Sequence, residues 1–229
     1  MEFLLSFGEN SLPVLVLLSL AEVVVPLLTK RRLFPLCRSF IPETVKIFVL
    51  PGGVMPRRQT TGAIGFDVHL RAIVHCQEMD PNDSRFRRTL LDFKGTSPDP
   101  SVANNVIKVK EGWVYRLHPG QTVLVGVGFA TEMHFPLFFW VAPRSGLASR
   151  HRIQITNAPG TVDPDYRGEA GVLVLNLGSE PFDLHHQMRI AQVAFQHAVI
   201  PRLQPVSSLD ELSDTSRGAG GFGSTGVKN

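Results

Sequence analysis

Cysteine is scarce: Cys37 and Cys76 are the only two in 229 residues, too few and too isolated for a disulfide framework or a CxxC metal knuckle. That scarcity points to a reducing compartment, and a cytoplasmic location is the expectation. The eight histidines include no HExxH or comparable ligand spacing, so a zinc ion held by protein side chains is not expected. Charged residues are sparse too, at 19% with a net charge of +3. The basic ones fall in short clusters, Lys30-Arg31-Arg32, Arg57-Arg58 and Arg87-Arg88. A nucleic-acid footprint calls for a longer tract or interleaved aromatics, so these clusters read as solvated surface and no nucleic-acid partner is expected. They remain compatible with a small anionic substrate. A clean membrane span is also missing. Residues 12–28 are nearly all apolar, but Pro13, Glu22 and Pro26 interrupt them and no basic residue precedes them. A secretory signal wants a positive start, and a membrane helix about 20 uninterrupted apolar residues. Residues 1–43 therefore read as an apolar extension that packs on its own domain or a partner subunit, or as an upstream stretch from a misplaced start. Membrane contact is disfavoured, with only the basic flank at Lys30 to Arg32 in its favour.

What is present suits β-structure. With 43% hydrophobic residues the chain can bury one full core. Its 20 glycines and 17 prolines, set against so few charges, favour short strands joined by turns. β-rich runs stand at residues 45–50, 64–74, 113–117, 122–131, 138–142, 171–177 and 189–198, with turn residues between most of them. The fold class expected is all-β, a sandwich, barrel or jelly roll, occupying residues 44–208. Residues 78–112 lapse into a polar, charged stretch. They read as an inserted loop or hairpin excursion whose composition is not expected to supply core strands.

Three segments carry chemistry-bearing groups. Pro143-Arg144-Ser145-Gly146-Leu147-Ala148 puts a guanidinium, a hydroxyl and a glycine-exposed amide at the end of an apolar strand, which suits an oxyanion but could equally begin an ordinary short helix. Residues 157–169 combine Asn157, a Pro159-Gly160 turn, Asp163, Asp165, Tyr166 and Glu169, a composition shared by binding turns and structural ones. Residues 209–229 end the chain in Arg217-Gly218-Ala219-Gly220-Gly221-Phe222-Gly223-Ser224-Thr225-Gly226. They form either a frayed tail or a mobile arm that binds phosphate through glycine-exposed amides and stacks Phe222 on a flat ring.

Taken together these segments are far more specific. In order, Gly65-Phe66-Asp67-Val68, the PRSGLA run at Pro143, GTVDPDYRGE from Gly160, RIAQV from Arg189 and RGAGGFGSTG from Arg217 resemble the five motifs of the trimeric dUTPase family. The resemblance covers roughly residues 45–226. Phe66, Met188 and Ala219 stand where the family more often has Tyr or Val, Asp, and an acidic residue, respectively. The resemblance implies a distorted jelly-roll β-barrel, a homotrimer whose C-terminal arm (residues 209–229) passes to a neighbour, and Mg²⁺-assisted hydrolysis of dUTP to dUMP and pyrophosphate. Under it Asp163 holds the attacking water near the α-phosphorus. Asn157, Gly160 and Val162 present the uracil edge with its partners, Tyr166 lies under the deoxyribose, and Phe222 stacks on the base. Arg144, Ser145, Gly146, Gln192, Arg217, Gly223, Ser224 and Thr225 hold phosphate oxygens, and Asp67 belongs to a structural or water network. Mg²⁺ arrives on the triphosphate with no direct protein ligand. The alternatives are a dCTP deaminase or bifunctional relative, in which a glutamate would stand near Leu173, and a non-catalytic nucleotide-binding module on the same fold.

Overall fold

The computed structural model describes residues 43–221; the N-terminal extension up to residue 42, and Phe222, Gly223, Ser224 and Thr225 of the arm, lie outside them. Fourteen strands follow in order: β1 (Lys46–Val49), β2 (Phe66–His69), β3 (Ala72–Met79), β4 (Arg87–Asp92), β5 (Val106–Val109), β6 (Gly112–Leu117), β7 (Thr122–Gly126), β8 (Phe129–Glu132), β9 (Leu137–Pro143), β10 (Ile153–Ile155), β11 (Gly160–Val162), β12 (Gly171–Asn176), β13 (Phe182–Leu184) and β14 (Arg189–His197). One α-helix, α1 (Ser145–His151), separates β9 from β10. The strands form four antiparallel sheets with orders β10-β12-β7-β3-β4, β11-β9-β14-β2, β13-β6-β5 and β1-β8. All four contribute to one hydrophobic core. The architecture is thus all-β, a distorted jelly-roll barrel.

In β9 and β12 alternation decides which face is buried. In β9, Leu137, Phe139 and Val141 point inward, and in β12 Val172, Val174 and Asn176 do so. Burying a side chain such as Phe139 contributes about 1.5–3 kcal/mol. The opposite face of the five-stranded sheet is not left wet. Ala72, Val74 and Leu124 form a second small apolar cluster there, with Leu173 packed against it. That outward face becomes the floor of the cleft described below.

Three expectations need correction. Residues 64–74 do not make one strand, because the chain changes sheets inside them. The Leu70 amide donates to Met188 O beside β14, at 2.8 Å, and the next amide, Arg71, donates to Gly126 O of β7, at 2.9 Å. Residues 122–131 are likewise two strands, β7 and β8. Gly128 divides them with φ +75°, a left-handed conformation that side chains other than glycine seldom tolerate. Residues 78–112 do supply core structure. They include the whole of β4, whose Leu91 is fully buried and is followed by the buried Phe93. Their polar residues are exposed or, like Arg87, Arg88 and Thr89, half-buried, and two apolar side chains at period two suffice to hold a strand against the core.

Candidate active site

The segment from Asn157 to Leu173 folds over the outward face of the five-stranded sheet and encloses a cleft of about 410 Å³. Leu124 and Leu173 lie on its floor, while Asn157, Val162, Asp163 and Tyr166 line its walls together with Cys76 and Arg87. Strand β11 fixes the register of this segment by pairing with β9, Gly160 opposite Val141 and Val162 opposite Phe139. Gly160 packs so close to Asn157 that a Cβ there would lie 3.0 Å from Asn157 Nδ2.

The turn that follows is closed by its own hydrogen bonds. Tyr166 N donates to Asp163 O at 3.2 Å, and Arg167 Nη1 to Pro164 O at 2.7 Å. The Tyr166 hydroxyl donates to Glu169 O at 3.0 Å, and Gly168 leaves the room for it, since a Cβ at that position would stand 2.4 Å from the phenol oxygen. Burial pushes the Tyr166 phenol above its usual pKa, so it remains a donor at neutral pH. The Glu169 carboxylate is buried and fully engaged. It takes Arg71 Nε and Nη2 at 2.7 and 2.6 Å, and Gly128 N at 2.7 Å. Asp163 is exposed in the cleft, and no donor among the described residues reaches its carboxylate.

A second cluster gathers around Asp67. This buried carboxylate accepts from Arg144 Nε at 3.2 Å and from Arg189 Nη1 at 3.0 Å, while Arg144 Nη1 also donates to Arg189 O at 3.1 Å. Gln192 pairs across the sheet with Asp67 and donates to Pro143 O at 3.0 Å. Ser145 and Gly146 begin α1 directly after Arg144, so the run at Pro143 opens a short helix and also adjoins this cationic cluster. His69, on the same strand as Asp67, has its pKa lowered, first by burial and also by the Arg189, Arg144 and Arg57 charges, against an opposing pull from Asp67.

The candidate residues therefore fall into two groups. Asn157, Val162, Asp163 and Tyr166 meet in the cleft, with Gly160 shaping its wall. Arg144, Ser145, Gly146, Gln192 and Asp67 collect at the other end of β9. Arg217 joins neither, its Nε donating to Gly220 O within its own turn at 2.8 Å. Sequence reading assigned no role to Arg71, Arg87, Cys76, Leu124, Glu169 or Arg189. Arg189 and Glu169 stand inside quoted motifs and could have been considered. Arg87 stands out only as part of a basic pair that reads as solvated surface, whereas it lines the cleft; nothing local marks the other three.

The dUTPase family model matches residues 113–226. The chain is 36% identical over 180 residues to the deoxyuridine 5'-triphosphate nucleotidohydrolase of Heliobacterium modesticaldum, spanning 78% of this chain and 93% of that one. It is 48% identical over 119 residues to the enzyme of the same name from Rhizobium rhizogenes, spanning 52% and 74%. A dUTPase of Staphylococcus bacteriophage 80alpha, solved as a mutant with dUpNHpp, superposes with a TM-score of 0.57 at 17% identity, over 81% of this chain and 100% of that one. That last likeness bears on the fold alone. The similarity to the Heliobacterium protein runs almost its whole length, and on that ground the chain belongs to the dUTPase family.

Proposed function

We propose that the protein hydrolyses dUTP to dUMP and pyrophosphate, with Asp163 orienting the attacking water at the α-phosphorus. The observation that carries this reading is the meeting of Asn157, Asp163 and Tyr166 in one cleft over an apolar floor. The floor suits a flat pyrimidine. Asn157 and the β11 backbone offer donors and acceptors to the uracil edge, and cytosine, with its donor and acceptor reversed, would leave buried polar groups unmatched. Tyr166, held down by its bond to Glu169 O, is assigned to lie under the deoxyribose and exclude a 2′-hydroxyl. A carboxylate is a weak base at neutral pH, so Asp163 contributes by orienting the water at least as much as by accepting its proton.

Leu173 on the cleft floor argues against deamination, since an aliphatic side chain cannot shuttle a proton at the base. Glu169 does not substitute for it, because Arg71 and Gly128 N already occupy its oxygens.

Among the described residues, no three of His, Cys, Asp and Glu converge as a metal cage. Mg²⁺ is assigned to the triphosphate and water with no direct protein ligand, where it would spread the phosphate charge. Arg144, Ser145, Gly146 and Gln192 are assigned to phosphate oxygens, with Asp67 holding Arg144 and Arg189 in place. Strand register supports a homotrimer with shared sites. Val162 sits opposite Phe139 and Arg144 follows five residues later, which is roughly 16 Å of strand at about 3.3 Å per residue. The cleft of one copy and the cationic cluster of another can complete each other, and the arm from Arg217 through Phe222 to Thr225 is assigned to closing over the bound nucleotide. A reducing cytoplasmic setting accords with the two cysteines, and no helix among the described residues is long and apolar enough to cross a membrane.

Incubation with Mg²⁺ and, separately, dUTP, dCTP, dTTP and UTP, with products resolved by chromatography, tests the reading. dUMP and pyrophosphate from dUTP alone are expected; deoxyuridine products from dCTP, or no turnover of any of the four, would overturn it.

A further inference from the structure

One wall of the cleft comes from outside the span that the family model matches. That span begins at residue 113, whereas Cys76 belongs to β3 and Arg87 to β4. A register shift delivers Arg87 to this wall. In a regular strand Arg87 and Leu91 would share a face, because side chains alternate with period two. Here the pairing of β3 with β4 slips between Ile73 and Val74, where the extra residue is in β4, and again between Val74 and Met79, where the extra residues are in β3 and Met79 pairs with Arg87. Leu91 pairs with core-facing Ile73, and Thr89 pairs with Val74 of the outward cluster. The extra residue turns the rest of β4 over, so that Leu91 enters the core and Arg87 lines the cleft.

Arg87 is half-buried, and its Nη1 donates to the Cys76 carbonyl. Among the described residues its Nε and Nη2 have no hydrogen-bond partner, and it makes no ion pair with any carboxylate. Among the described residues it is also the only basic one lining the cleft. The acidic residues there are Glu169, neutralised by Arg71, and Asp163. Without Arg87 the cleft would face a polyanionic nucleotide with a net negative charge.

We propose that Arg87 is a nucleotide-binding residue, donating from its unengaged edge to a phosphate oxygen of the nucleotide whose base and sugar occupy this cleft. The proposal rests on the function proposed above and adds a cation to it. The base and sugar already have partners in Asn157, the β11 backbone and Tyr166, so the ligand charge left unanswered in the cleft is phosphate. The guanidinium fork suits that oxyanion. Its tether to Cys76 O restricts the side chain before binding, which lowers the ordering cost of the contact, and its positive charge offsets the repulsion between Asp163 and the incoming phosphates.

The test compares wild type, Arg87→Ala and Arg87→Lys, using dUMP and deoxyuridine as inhibitors of dUTP turnover at low and high salt, with a melting curve for each variant. Arg87→Ala is expected to weaken dUMP by ~10–100-fold, the range of a hydrogen bond to a charged group, while deoxyuridine changes less than about twofold on the same scale. Arg87→Lys should recover part of the loss, and the salt dependence of dUMP binding should shallow in the alanine variant. A loss shared by both ligands would make Arg87 a prop for the cleft wall and overturn the proposal; so would no loss for either. Wild type that fails to cleave dUTP sinks the function reading, whereas active wild type with an indifferent Arg87→Ala sinks this proposal alone.

Discussion

Arg71 and Glu169, 98 residues apart in the chain, form a bidentate ion pair, Nε to Oε1 at 2.7 Å and Nη2 to Oε2 at 2.6 Å. Arg71 stands where the chain leaves one sheet for another, and Glu169 closes the turn that carries Asp163 and Tyr166. The pair thus ties the cleft's main turn to the barrel. Both side chains are largely out of water, so removing one partner strands the other's charge. Arg71→Ala is expected to cost about 3–5 kcal/mol, read as a lower urea midpoint with an unchanged slope. A loss below about 1 kcal/mol, typical of an exposed pair, would show that the tether is dispensable.

Asp67 plays the opposite part, one carboxylate between two guanidiniums. Without its charge Arg144 and Arg189 would repel and reorient, and the phosphate groups assigned to them would meet a disordered cation. Asp67→Asn is expected to weaken inhibition by pyrophosphate roughly tenfold, on the scale of one charge-assisted hydrogen bond. Deoxyuridine binding should stay constant. Equal effects on both ligands would separate Asp67 from phosphate binding.

These two relationships also show where sequence reading stops. Asp163 and Tyr166 could be named together because one turn of a few residues carries both, but turn composition alone left a structural turn equally open, and their roles came from the resemblance of the ordered motifs. Strand β9 was legible as an apolar run at residues 138–142, but the side chains it turns inward were not, because every residue of that run is apolar. The ion pair of Arg71 with Glu169 was not legible either, because only the sheet order β12-β7-β3 brings those residues together. The contribution of β4 was hidden for a related reason. Leu91 and Phe93 alternate among charged neighbours, and an extra residue in β4 at its register shift against β3 decides that Leu91 faces the core while Arg87 faces the cleft. Composition averages over both faces of a strand and so missed them.

Asp163→Asn should abolish dUTP turnover while leaving dUMP affinity within about threefold of wild type, since the amide keeps the shape but loses the charge that orients the water. Calorimetric titration beside the activity assay separates the two effects. Retained turnover would remove Asp163 from the chemistry, and lost binding would make it a binding residue.

Gly168→Ala tests the seat of Tyr166. A Cβ 2.4 Å from the phenol oxygen and 2.6 Å from Cζ forces the ring to move or breaks its bond to Glu169 O. If Tyr166 excludes a 2′-hydroxyl, the preference for dUTP over UTP in kcat/KM should shrink by on the order of tenfold, about 1.4 kcal/mol of discrimination. An unchanged ratio with a lower overall rate would place the selectivity elsewhere.

Acid sensitivity should begin with histidine. His69 and His186 have folded pKa values below their usual 6.5, in each case first because burial disfavours the charged ring. Between the folded value and 6.5 the unfolded chain therefore binds more protons than the folded one, and stability rises with pH across that window. Their contribution is complete above about pH 6.5 and is lost as the pH falls through the window. Asp83 and Asp99, held down to about 2 by hydrogen bonds from Arg85 and Ser101, respectively, act only below 3.8. Urea midpoints should thus already drop between pH 7.5 and 5.5, before those two carboxylates titrate. His69→Asn should reduce that drop, and an identical pH dependence in the variant would show that His69 takes up its proton in the folded protein as readily as in the unfolded chain.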